Sequence, residues 1–185
     1  MGQLVDYKGR MLNHVEMLYQ PGERSLAIKV YEALGCRVSQ TDGETMVVHV
    51  APDQNDPVNN VLYSSEVSPE QWQLEQELRA ARTDRPSLAT AFATYDDKLR
   101  NHPHGITHFG IRYPSFARLE EALERMGRDL DPRLAGRLSV SAVFRPQDAG
   151  ARSERLIQAF VTTDVVAAGL FMLGQLIELQ AQELQ

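Results

Sequence analysis

Two histidines and one glutamate have the residue types and the spacing of a metal site. His14 and His108 each lie in a segment that alternates in polarity as a β-strand does, and Glu178 lies in a third such segment. Glu178 stands between Ile177 and Leu179, where an unpaired carboxylate would be costly to bury. Two neutral imidazoles and one carboxylate bind a divalent cation and leave positions open for substrate or water. The three residues are therefore candidate ligands of one metal ion.

Each of these residues also has a structural interpretation. A lone histidine in a strand is commonly a hydrogen-bonded structural residue, and a glutamate near the C-terminus commonly faces solvent. The two histidines, however, recur 94 residues apart, and Gly35 and Gly127, which are predicted to end helices, recur 92 residues apart. This agreement indicates a diverged tandem repeat and favours the metal site.

The repeat predicts how the chain is organised. A strand, a helix and three further strands are predicted from residue 11 onward, and the same order begins again at residue 105. We therefore predict an α+β protein with two tandem βαβββ modules. Its parts are an N-terminal arm (1–10), a first module (11–67), a helical connector (68–104) and a second module (105–182).

The connector has its own helix signals. Ser68 is a predicted N-cap and Pro69 the first helical residue of a helix that reaches Arg82. A shorter helix is predicted over residues 88–95, before the polar stretch 101–103.

Composition restricts the function classes. A net charge of −6 disfavours binding to nucleic acid or to an anionic membrane, because such binding depends on neutralising phosphates. Cys36 is the single cysteine, which fits a reducing compartment. We see no secretion signal and no apolar run long enough to span a bilayer. We expect a cytoplasmic protein, a monomer or homodimer, whose partner is a small-molecule substrate.

Three stretches carry a family resemblance. LNHVEMLY…SLAIKVYEALG and GITHFGIRYPSFARLEEALERMG are similar to the two copies of the opening "histidine strand, helix, leucine-glycine" pattern of the vicinal-oxygen-chelate superfamily. The closing LGQLIELQ is similar to its terminal strand. That superfamily includes glyoxalases, bleomycin-resistance proteins and extradiol dioxygenases. The resemblance implies two βαβββ modules that form an open, barrel-like cleft of mixed sheet, with metal ligands on the first and last strands of each module.

The resemblance implies His14, His108 and Glu178 as ligands and places Tyr63 at the fourth position. Glyoxalase I and epimerases usually have Glu or Gln there, as a ligand and in some members as a proton-transfer base. A neutral tyrosine is a poor ligand, and the reference pKa of tyrosine, about 10, makes this residue type a poor base at neutral pH. An isomerase mechanism is therefore disfavoured. Tyr63 remains a candidate catalytic residue that contacts substrate, the alternative being an aromatic residue in the cleft wall.

Two other branches use a three-ligand set. Extradiol dioxygenases add a second-module histidine and a tyrosine about ten residues before the glutamate, where Ala168 stands here, and no histidine follows His108. His49 would substitute as a substrate-binding residue if it faces the cleft, and is otherwise a packing residue. The fosfomycin-resistance transferases normally have shorter chains that pair as dimers, and their substrate loop has no clear match.

Arg112 is a second candidate for substrate binding. It is predicted to share a strand face with His108, where a guanidinium would hold a carboxylate or phosphate through two hydrogen bonds. The alternative is an ion pair with Glu16, which has the equivalent place in the first module.

The sequence therefore predicts a metal-dependent enzyme that acts on a small oxygen-chelating substrate by dioxygenase-like or lyase-like chemistry. The metal would act as a Lewis acid, and Fe, Mn, Ni and Zn are all compatible with the ligand set. One alternative is a metal-free protein that sequesters a small molecule, as in the bleomycin-resistance branch. Another is an interaction module without a small-molecule cleft.

Overall fold

Nine strands and four α-helices make up residues 12–182, the part of the chain that the computed structural model describes. The strands are β1 (His14–Tyr19), β2 (Arg37–Ser39), β3 (Thr45–His49), β4 (Val61–Glu66), β5 (His108–Tyr113), β6 (Leu138–Phe144), β7 (Leu156–Thr163), β8 (Val166–Ala167) and β9 (Gln175–Gln182). The helices are α1 (Arg24–Ala33), α2 (Pro69–Asp84), α3 (Pro86–Asn101) and α4 (Phe116–Arg128). The arm predicted over residues 1–10 lies outside the described residues.

The strands form two mixed sheets. The first has the order β2-β3-β4-β1-β8 and the second the order β5-β9-β7-β6. In each sheet the opening strand is parallel to the closing one, β1 to β4 and β5 to β9, and the remaining neighbours are antiparallel. The prediction of an α+β protein with mixed sheets is confirmed. Within the described range the two sheets remain separate and do not close into a barrel.

A helix follows the opening strand of each sheet, because strands of the same direction need a crossover connection. Gly35 lies just after α1 and has φ +80°, the left-handed conformation expected of a helix-ending glycine. The expectation that Gly127 ends the second such helix is wrong. Gly127 has no positive φ, and α4 continues through it to Arg128.

The two helices share one hydrophobic core on one side of the sheets. Leu26 and Val30 of α1 lie in the same buried cluster as Met17 of β1, as do Leu119 of α4 and Ile177 of β9. Since successive side chains of a strand alternate between faces, the opposite face of each sheet carries the even-numbered residues of β1, β5 and β9. The candidate site residues lie on that opposite face.

Besides the shared core, a strand pairing and an ion-pair cluster join the halves of the molecule. Strand β8 follows β7 in the chain but pairs with β1 of the first sheet, through Leu18–Ala167 and Tyr19–Val166. Beside it, Arg137 forms ion pairs with Glu23, at 2.6 Å, and with Asp164, at 3.0 Å. All three side chains are partly shielded from water, so the pairing is less screened than on an open surface.

The connector forms two long helices. The N-cap at Ser68 is as predicted, since its hydroxyl accepts a hydrogen bond from the Gln71 amide at 3.2 Å. The second helix is longer than the predicted 88–95. It starts with Pro86 at its first turn, and ion pairing of Arg100 with Asp96 at 2.9 Å supports its last turn.

Helix α3 covers the face of the second sheet opposite the main core. Its Leu99 is 2% exposed and packs with Ile106, Phe160 of β7 and Leu176 of β9 in a second hydrophobic cluster. Water is therefore excluded from both faces of this part of the sheet, whereas His14 is exposed on the equivalent face of the first sheet.

Glu75 of α2 fixes the connector to the second half. It is fully buried, and its two carboxylate oxygens accept hydrogen bonds from the amides of Phe171 and Met172, at 2.6 and 3.2 Å. These amides open a short 3-10 helix, Phe171–Leu173, and have no helical partners of their own.

We expect Glu75→Ala to lower the free energy of unfolding by about 3 kcal/mol, because it leaves two buried amides without an acceptor. The measurement is urea unfolding followed by the fluorescence of Trp72, the single tryptophan, which packs against Phe171. Glu77→Ala, at an exposed position of the same helix, is the matched control. Equal stability of the two variants would contradict the role given to Glu75.

Candidate functional site

In each sheet a histidine of the opening strand and one residue of the closing strand have equivalent positions. Tyr63 of β4 is registered with Glu16 of β1, and Glu178 of β9 is registered with Gly110 of β5. Each histidine lies two residues before that registered partner and so on the same strand face. Tyr63 thus has the position in the first sheet that Glu178 has in the second.

In the second sheet the pair is in direct contact. His108 Nε2 lies 3.0 Å from Glu178 Oε2, and the side chains are 24% and 13% exposed. The other ring nitrogen, Nδ1, lies 2.7 Å from the Ile106 carbonyl oxygen. The imidazole is therefore held by both nitrogens, while one edge of the site stays open to solvent.

The Ile106 contact decides where the imidazole carries its proton. A carbonyl oxygen only accepts hydrogen bonds, so Nδ1 must be the donor. In the neutral ring Nε2 then presents a lone pair, and it faces a carboxylate oxygen of Glu178, which is also an acceptor. Two acceptors at 3.0 Å repel each other unless a proton or a cation lies between them.

Two neighbours in β7 fix this pair. Gln158, only 6% exposed, donates from its Nε2 to Glu178 Oε1 at 2.6 Å. The Phe160 ring meets the His108 imidazole edge to face, with centroids 5.6 Å apart. Sequence reasoning missed Gln158, although a polar residue between the apolar Ile157 and Ala159 in a strand was a visible signal.

In the first sheet the equivalent pair is His14 and Tyr63. His14 is exposed, and its ring lies against the Tyr63 ring with centroids 5.1 Å apart. The Tyr63 hydroxyl donates to the Pro57 carbonyl at 3.1 Å. Among residues 12–182 no three His, Cys, Asp or Glu side chains are grouped so that they could hold a metal ion. The structure thus brings His108 and Glu178 together, and His14 does not complete a three-ligand group with them.

His49 shares the face of His14 but lies within the sheet. Its side chain is 5% exposed, and Nε2 lies 2.8 Å from the Ser39 hydroxyl. Burial, and then the Arg37 guanidinium, lower the pKa of His49 below its ordinary value. Of the two histidines that follow α3, His102 is exposed, whereas His104 is half-buried against the rings of Phe144 and Phe160.

Arg112 lines an open groove of about 820 Å³ between the two halves of the molecule. Gly110 lines the same groove, and a Cβ atom placed on it would lie 4.0 Å from Glu178 Oε2. The Glu178 carboxylate therefore lies close to one residue of the groove wall, although Glu178 does not itself line the groove. Within the described residues Arg112 forms no ion pair, so the alternative pairing with Glu16 is not found.

The lowered pKa of His49 predicts a pH dependence of stability. As pH falls below about 6.5 the unfolded chain binds a proton that the folded chain disfavours at His49, so stability falls. We expect this part of the slope to be absent in His49→Gln. Urea unfolding between about pH 5 and about pH 7.5 measures it. His102→Gln is the control, and identical slopes for His49→Gln and the parent would refute the assignment.

Comparisons with known proteins add no further assignment. No protein-family model matches the chain, and no curated protein matches it significantly. No helix among residues 12–182 is long and apolar enough to cross a membrane. A function for the candidate site is therefore inferred from its geometry.

Proposed function

We propose that this protein is a metal-dependent enzyme of the vicinal-oxygen-chelate type. His108 and Glu178 would hold a divalent cation on the face of the second sheet, and His14 of the first sheet, which is not grouped with them in the structure, would have to move toward the pair to become the third ligand. The observation that carries the proposal is the contact of two acceptors, His108 Nε2 and Glu178 Oε2, at 3.0 Å. A cation bound by both atoms removes the repulsion between them.

The surroundings of the pair support this role. Metal-bound histidines usually donate their other ring N–H to a backbone carbonyl, as His108 does to Ile106, and ligating carboxylates are usually hydrogen-bonded, as Glu178 is to Gln158. The identical strand order of the two halves and the equal offsets of His14 and His108 are what a glyoxalase-type fold would have. In that fold both histidines line one cleft.

The ligand set defines the chemistry. With Tyr63 in the fourth position the cation keeps open positions, so a substrate can chelate it through neighbouring oxygens. The bound metal would then supply Lewis-acid activation, which suits a dioxygenase-like or lyase-like reaction. Tyr63, a neutral phenol, would contact the substrate rather than act as the base.

A metal-free binding protein is the second candidate, and the same contact gives it support. A proton in place of the cation would join His108 and Glu178 as a hydrogen-bonded pair at the observed 3.0 Å. The cleft would then bind a small molecule without reaction.

Metal titration distinguishes the two. We expect the parent protein, freed of metal by a chelator, to bind Mn(II), Ni(II) or Zn(II) in calorimetric titration, and His14→Ala, His108→Ala and Glu178→Ala to weaken binding by about 100-fold or more. Gln158→Leu, which removes the hydrogen bond to Glu178, should cost about tenfold. His102→Ala is the control. Absence of binding by the parent, or equal binding by all variants, would support the metal-free function.

A second test uses the equivalence of Tyr63 and Glu178. Tyr63→Glu places a carboxylate at the position of the first sheet that is equivalent to Glu178. A cation shared by both sheets would then gain a fourth ligand. We expect metal affinity to rise by about tenfold, while Tyr63→Phe, which keeps the ring, leaves it unchanged. If Tyr63→Glu binds metal no better than Tyr63→Phe, the cation is not shared between the sheets.

A further inference from the structure

The groove that Arg112 lines has the features of a ligand-binding site. Its volume of about 820 Å³ falls within the range of small-molecule sites. One wall comes from the first half of the chain, over residues 50–53 and at Asn60, and the other from β5 and α4 of the second half. Strand β5 is the edge of its sheet along this groove.

Arginines set the charge of the groove. Arg112, Arg118 and Arg125 line it, together with the two carboxylates Asp53 and Glu121. Arg118 is paired with Glu121 at 2.9 Å, whereas Arg112 and Arg125 are exposed and form no ion pair within the described residues. In a chain with net charge −6, a groove with two guanidinium groups available is a local positive site.

The wall from the first half is held in place without regular secondary structure. Arg37 donates hydrogen bonds to the carbonyls of Pro52 and Gln54 and to Asn55 Oδ1, at 2.9, 2.8 and 2.9 Å. The buried Asp56 carboxylate accepts bonds from the Val58 and Asn59 amides at 2.9 and 3.1 Å. A preorganised wall reduces the entropy lost when a ligand binds.

A hydrogen bond between the two halves also holds the opposite wall in place. The Tyr113 hydroxyl donates to the Leu34 carbonyl at 2.6 Å, and it lies 3.2 Å from where a Cβ on Gly35 would stand. Tyr113 and Pro114 give this wall apolar surface next to the arginines. A ligand that suits both features has an apolar body and acidic groups.

We infer that the groove binds a small organic anion, whose carboxylate or phosphate groups pair with Arg112 and Arg125 and whose apolar body lies on Tyr113 and Pro114. Guanidinium groups match carboxylate and phosphate geometry through paired hydrogen bonds. The inference names the substrate class of the proposed enzyme, and for that assignment it rests on the proposed function. The binding of the anion itself does not require the metal.

Calorimetric titration with phenyl phosphate, benzoate and the neutral benzamide tests the inference at constant ionic strength. We expect the metal-free parent to bind at least one of the two anions about tenfold or more tightly than benzamide. A preference between phenyl phosphate and benzoate shows which acid group the groove selects. Equal binding of benzamide and both anions would overturn the inference.

Arginine variants locate the site. Arg112→Gln and Arg125→Gln should each weaken anion binding by about tenfold, because each removes a charge-assisted contact. The matched control is Arg128→Gln, which also lies on α4 but pairs with Glu124 at 3.6 Å and does not line the groove. Anion binding that is unchanged in both groove variants would overturn the inference.

Metal titration of the same variants separates this inference from the proposed function. Arg112→Gln and Arg125→Gln should bind metal as the parent does. A parent that binds metal but prefers no anion refutes the groove inference alone. If the parent binds anions through these arginines but binds no metal, the anion site is confirmed and the proposed metal-dependent function is refuted.

Discussion

The parallel pairing of the opening and closing strands in each sheet constrains the rest of the molecule. It forces a helical crossover onto one face of each sheet, and that face is committed to the hydrophobic core. The other face carries the candidate site residues, because alternation along β1 and β5 places a histidine there in each case. The same pairing puts Tyr63 beside His14 and Glu178 beside His108.

Much of this arrangement could be predicted from local pattern. The helix start at Ser68, the left-handed Gly35 and the buried positions of α1 follow from capping and periodicity, which are properties of a few neighbouring residues. The two-residue strand β8 could not be predicted, because the strand that it pairs with, β1, lies more than a hundred residues earlier in the chain. The full length of α3 was missed for a related reason, since Leu99 is buried by a distant sheet.

The candidate site also combines features that follow from local pattern with features that depend on distant parts of the chain. That His108 and Glu178 face the same way follows from strand alternation and is found in the structure. The position of His14 relative to them depends on how two sheets pack, which no local pattern encodes. The roles of Gln158 and of the buried Glu75 depend on partners from other strands and helices. Buried polar groups of this kind are informative only once their partners are known.

Helix α3 makes the two halves of the site electrically different. It removes water from the second sheet around Phe160 and Leu176, while the face of the first sheet around His14 stays hydrated. Interactions between charges weaken with the effective dielectric constant, which is about 80 in water and far lower where water is excluded. The Glu178 side chain is 13% exposed, so a charge there is screened less by water than a charge at the exposed position of His14. The symmetry of the chain trace is therefore not a symmetry of its electrostatic field.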